Sequence, residues 1–270
     1  MTTRTPSAAP RPRKKKIKVS EMAPATMSEA DGVRYLHLGT PWVQGAMRVR
    51  KPHVLELDYI RRMMAWLLLV DPDALASGHA VQLGLGAAAI TRFCHRNLRM
   101  KTTAVELNPT VITACRMWFH LPDDDARLTV LNADAADYVA DPDHLGSAQA
   151  LQVDLYDHDA ASPVLDDEVF YRGCHGLLAD GGAMAVNLFG RDASFERSAG
   201  RIAAVFGAES VRSLQPTKEG NTIVLAVKGV AFPPRETLAL RAENIETRFE
   251  LPARKWLRMV RSLPGVNPDS

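Results

Sequence analysis

The stretch HAVQLGLGAAAITRFCHRNLRMKTTAVELNP, residues 79 to 109, decides the fold. It opens on a short apolar run, Ala80 to Leu83, of a length suited to a buried strand. Gly84-Leu-Gly86 follows where the strand must turn tightly. Ile90, Phe93, Cys94 and Leu98 then recur at helical spacing. Thr102 to Leu107 reads as a second strand, with Glu106 at its end. Asn108-Pro109 starts another helix, with Asn as the N-cap, Pro at the first helical position, and Val111, Ala114, Cys115 and Trp118 facing the core. Strand, glycine turn, helix and strand make a βαβ unit, which joins parallel strands.

The pattern continues outward. Leu128 to Leu131, Ala150 to Leu155 and Ala183 to Leu188 read as further strands. Phe195 to Phe206 is helical, and Ser210 to Leu214 and Thr222 to Val227 add two strands, the last a hairpin partner. The expected class is α/β: a Rossmann-like core with a mostly parallel sheet, helices on both faces and the last strand antiparallel. Upstream, Val33 to Leu38, the turn Gly39-Thr-Pro41 and Trp42 to Val49 form a hairpin too small to stand alone. It must dock on the main body or on a second subunit. Leu55 to Val70 reads as one amphipathic helix ended by Asp71-Pro72. Ala253, Trp256, Leu257 and Val260 form the stripe of a docked helix. The expected division is a disordered basic tail over 1–20, a small β region over 21–54, a catalytic domain over 55–230 and a helical extension over 231–270.

Composition narrows the class. Apolar residues make up 46% and charged residues 24%, as in an ordinary globular enzyme. No apolar run reaches the roughly 18 residues of a membrane helix; Met63 to Val70 is too short. Cys94, Cys115 and Cys174 lie far apart, without a Cys-x-x-Cys pair, so they read as buried apolar side chains and not as zinc ligands. An odd cysteine count and no leader-like start suggest the reducing cytoplasm. Basic residues crowd the first eighteen positions, with no acid among them, although the whole chain carries only +2. The body is therefore acidic, which argues against nucleic acid as its partner except through that tail.

Candidate chemistry sits at the expected strand ends. Gly84 and Gly86 let backbone N–H groups approach a ligand at a helix N-terminus, although alanines at 87, 88 and 89 leave the usual third glycine absent. Glu106, about twenty residues on, stands where a carboxylate accepts from ribose hydroxyls. Asp134, followed by Ala135, can accept from an adenine amine or cap a helix. Asp154 and Asp157, just past the fourth core strand, can hold a cation or take a proton from an amine.

In this order the motifs resemble the spermidine synthase family, the polyamine aminopropyltransferases, which share their core with class I methyltransferases. The counterparts are Gly84 and Gly86, Glu106, Asp134-Ala135, Asp154 with Asp157, and Pro163-Val-Leu165 leading to Phe170-Tyr171. More loosely, Gln44 matches a nucleoside-contacting Gln and Tyr59 a substrate-site Tyr. The resemblance implies transfer of an aminopropyl group from decarboxylated S-adenosylmethionine to a putrescine-like diamine. It makes Asp154 the base and has Asp157 hold the acceptor's other charge. It further implies no metal, no tightly bound cofactor, and a homo-oligomer. One position departs: Ala87 stands where the family carries the acid that grips the donor's terminal amine. That departure keeps open an S-adenosylmethionine-dependent methyltransferase, or a catalytically silent nucleoside- or polyamine-binding homologue.

Overall fold

The computed structural model describes residues 22–156, 165–189 and 193–263. The basic tail, Asp157 and the Pro163-Val164 pair lie outside the described residues. A three-stranded antiparallel sheet, β1 (Ala25–Ala30), β2 (Val33–Leu38) and β3 (Gly45–Arg48), precedes the core. The core is an eight-stranded sheet. Its strands are β4 (His79–Leu83), β5 (Lys101–Glu106), β6 (Leu128–Asn132), β7 (Ala148–Val153), β8 (Leu178–Phe189), β9 (Val211–Leu214), β10 (Asn221–Val227) and β11 (Val260–Arg261). Their order is β11-β9-β10-β8-β7-β4-β5-β6. Strands β4 to β8 pair in parallel, and β10 runs antiparallel to β8 and β9. The crossover helices are α2 (Ala89–Arg96), α3 (Pro109–Trp118), α4 (Ala135–Ala140), α5 (Glu168–Leu177) and α6 (Ala193–Phe206).

Local sequence explains where the helices start. Asn108 caps α3 by accepting from Thr110 N at 3.0 Å, with Pro109 behind it. Asp134 caps α4 and Asp167 caps α5 in the same way. Alternation along the strands then sorts the two faces of the sheet. Ala80, Ala150, Ala183 and Ala185 keep one face shallow, and Met63, Met64 and Trp66 fill that space. Trp66 lies fully buried and its Nε1 donates to Gln152, whose amide donates in turn to Val81 O. The opposite face carries Val81, Leu83, Leu151, Val153, Met184 and Val186 against α5 and α6.

Several expectations are corrected. The helix expected over Leu55 to Val70 is α1 (Asp58–Met63) followed by a 3₁₀ turn, Met64–Leu68. From Met63 to Leu69 every side chain is buried, so packing on all sides overrides helical periodicity. The returning strand of the hairpin is shorter than Trp42 to Val49, because Trp42 and Val43 are exposed and unpaired with the sheet. Strand β1, an exposed edge of small and polar residues, carries no strong pattern and was not expected. Val260 opens β11 and does not close α8 (Ala253–Met259). Before it, α7 (Arg235–Phe249) packs Leu238, Ala242 and Ile245 against the Trp66 cluster.

The small sheet docks on the body of its own chain. Leu36 and Met47 pack with Leu85, Ala87, Val111 and Phe119. Asn108 Nδ2 donates to Ala23 O, and Arg34 donates to Trp118 O. All three cysteines are buried and free, and burial pushes the Cys94 thiol up to about 12.

Candidate active site

The site forms at the carboxyl ends of β4, β5 and β7, where open α/β sheets bind ligands. Gly84 follows β4 with φ +87°. A Cβ there would lie 2.1 Å from the carbonyl oxygen of Asp154, so the end of β7 closes directly over the glycine. A Cβ on Gly86 (φ +49°) would lie 3.1 Å from Gln44 O. Gly45 lies against Ala87: its Cβ would come 2.5 Å from Ala87 N. The glycine loop is thus held between β7 on one side and β3 on the other. Ala88 enters α2 in the left-handed region, φ +56°, and no side chain caps that helix. Its first-turn amides are left for a ligand or water.

Glu106 ties the loop to the second strand. Its Oε2 accepts from Leu85 N at 2.9 Å and its Oε1 from Asn108 N at 2.8 Å. Burial raises its pKa, while those backbone N–H groups and that of Leu107 oppose the rise. A carboxylate has about four acceptor positions, so Glu106 can still accept from a hydroxyl group. Asp134 is exposed and accepts from Ala136 N at 2.8 Å, the capping role that the sequence allows; Ala135 behind it is buried. The Gln44 Nε2 is buried and finds no partner among the described residues. Such an amide costs free energy unless something fills its place.

Asp154 lies at the centre of a second cluster. Asn187, near the end of β8, donates to its Oδ1 at 2.9 Å. The hydroxyl of Tyr59, on α1, donates to the same carboxylate. Burial raises the Asp154 pKa, and these two hydrogen bonds partly offset it. Tyr59 is pushed well above the usual phenol value, by burial first and then by the Asp154 charge. Tyr156 Oη donates to Asn187 O at 2.9 Å and accepts from Phe189 N at 2.5 Å, pinning the chain beyond β7 to β8.

The structure brings Gly84 and Asp154 together, and Tyr59 with Asp154, although Tyr59 and Asp154 are far apart in sequence. Gln44 and Gly86 meet at the other side of the loop. Asn187, Asn221 and Tyr156 were missed by sequence reading. One signal was available: Asn187 is a polar residue in the otherwise apolar run Ala183 to Phe189. Among the described residues no group of His, Cys, Asp and Glu is placed to hold a metal ion.

A sheet of this order, with an antiparallel strand beside the last parallel one and a glycine turn after the first, has the class I methyltransferase-like fold. Solved structures agree on the fold. A probable spermidine synthase from Corynebacterium glutamicum superposes with a TM-score of 0.67, at 19% identity, over 90% of this chain and 94% of that one. Human methyltransferase-like protein 13, solved with SAH, gives 0.60 at 22% identity, over 79% of this chain and 96% of that one. No family model matches the chain. Over 249 residues, 90% of each protein, the chain is 32% identical to the polyamine aminopropyltransferase of Neisseria meningitidis. The chain belongs to the polyamine aminopropyltransferase family and is a transferase.

Proposed function

We propose that the chain transfers an aminopropyl group from decarboxylated S-adenosylmethionine to a diamine of putrescine type, with Asp154 as the base. What carries the reading is the half-buried carboxylate of Asp154, held by Asn187 and Tyr59 beside the glycine loop. The adenosine moiety lies along Gly84–Gly86, with Glu106 accepting from the ribose hydroxyls, Asp134 from the adenine amine, and the unpartnered Gln44 amide donating to the nucleoside. Asp154 takes a proton from the acceptor's ammonium, and the freed lone pair attacks the aminopropyl carbon bonded to sulfur. The carbon–sulfur bond breaks, its electrons return to sulfur, and neutral methylthioadenosine leaves. A carboxylate whose pKa is raised by burial is a stronger base than an exposed one. The sulfonium supplies the leaving group, so the protein's task is positioning, exclusion of water and proton removal. No tightly bound cofactor takes part. Asp157 is assigned to the far ammonium of the acceptor, and the working enzyme is a cytoplasmic homo-oligomer. No helix among the described residues is long and apolar enough to cross a membrane.

Ala87 favours a second reading. It is 3% exposed and packed against Gly45, so no acid grips the donor's terminal amine from that position. Methyl transfer from S-adenosylmethionine on the same core requires no such acid. Charge separates the two. The parent donor carries an extra carboxylate, which Asp154 repels, whereas the decarboxylated donor presents only a cation. Titration calorimetry is expected to show the decarboxylated form binding at least tenfold tighter than S-adenosylmethionine, about 1.4 kcal/mol. Tighter binding of the parent supports methyl transfer, and binding of neither rejects the nucleoside site.

A further inference from the structure

We propose that Asn221 is a positioning residue, which fixes the amide of Asn187 so that its N–H, and not its carbonyl, faces Asp154. The inference rests on the reading of Asp154 as base. Asn221 Nδ2 donates to Asn187 Oδ1 at 3.1 Å, and Asn187 Nδ2 donates to Asp154 Oδ1 at 2.9 Å. Asn221 is itself clamped at the mouth of the β9–β10 turn. Its N donates to Thr217 Oγ1 at 3.1 Å, and its O accepts from Thr217 N at 2.8 Å. Asn187, Asn221 and Thr217 are 4%, 9% and 5% exposed, so water does not compete freely for these bonds.

The chain has a direction. An ionised carboxylate only accepts, so Asn187 must offer it an N–H. That leaves Asn187 Oδ1 in need of a donor, and Asn221 is the side chain that supplies one. Without it, the buried Asn187 carbonyl loses its donor, and only the Asp154 charge still holds the amide in this orientation. The relay therefore stabilises the ionised base from a residue that does not touch it. The other groups facing Asp154 keep their places when Asn221 changes. Tyr59 faces it from α1, and Tyr156 from the segment after β7; Asp166 lies beyond Tyr156, and Gly84 lies on the β4 side.

The test is the pH profile of kcat/KM for aminopropyl transfer. In Asn221→Leu the acid limb is expected to move up by about one pH unit, with donor affinity unchanged, because the Asn187 hydrogen bond that favours the charged form is no longer braced from behind. Asn221→Thr, which keeps a donor in a strand-compatible side chain, is expected to hold the limb near the parent's. Should the leucine variant fail to fold, Asn221→Asp serves in its place. Its carboxylate draws the Asn187 N–H away and adds a like charge, so the limb again moves up. An unmoved limb in a folded leucine or aspartate variant overturns the proposal. Asp154→Asn separates the two claims: if it turns over normally, the base assignment fails, and if it is inactive while the limb stays put, only the Asn221 relay fails.

Discussion

Asp154→Asn lowers kcat by about 10²–10⁴-fold while the decarboxylated donor still binds. An asparagine fills the same volume, and the Tyr59 hydroxyl can still donate to its oxygen. The glycine loop contacts Asp154 through its backbone carbonyl and not its side chain, so the loop keeps its shape. What disappears is the titrating carboxylate placed between Asn187 and Tyr59. The acceptor's amine then stays protonated, with no lone pair to attack the donor. Steady-state kinetics with calorimetry on the same variant check both halves. Retained turnover removes Asp154 as the base; lost donor binding gives it a structural role instead.

Gly84→Ala is expected to abolish donor binding and to cost on the order of 3 kcal/mol of stability. Two penalties combine. At φ +87° a side chain is strained, and the new methyl lies 2.1 Å from the Asp154 carbonyl oxygen. That oxygen is backbone at the end of β7 and cannot swing aside as a side chain would. Relief comes only by parting β4 from the chain beyond β7, which also carries Asp154 out of reach of Tyr59. Chemical denaturation and donor titration measure the two effects. Wild-type stability together with wild-type donor affinity would contradict the observed approach of the two segments.

The core was legible because each of its βα junctions is written in adjacent residues. Leu83-Gly84 ends a buried strand and forces a turn, and Asn108-Pro109 caps the next helix. Glu106 lies one strand later, with one N–H partner next to it at Asn108 and the other in the glycine turn at Leu85. The capping alternative for Asp134 was equally readable. The Asp154 cluster was only half visible. Its members come from α1, β8 and the β9–β10 turn, and nothing in local sequence relates Tyr59, Asn187 and Asn221. The 3₁₀ turn at Met64–Leu68 escaped notice for a different reason: burial on every side removes the periodicity by which a helix is recognised. Gly45 falls within the expected returning strand Trp42 to Val49, and nothing in local sequence shows its contact with Ala87, by which β3 occupies the space beside the glycine loop.

Donor chemistry is the point on which the functional reading turns. The purified chain is incubated with decarboxylated S-adenosylmethionine and putrescine, and the products are resolved by mass spectrometry. Aminopropyl transfer predicts methylthioadenosine and spermidine in equal amounts, with both formed far more slowly by Asp154→Asn. Absence of methylthioadenosine, or S-adenosylhomocysteine formed when S-adenosylmethionine replaces the donor, would contradict it.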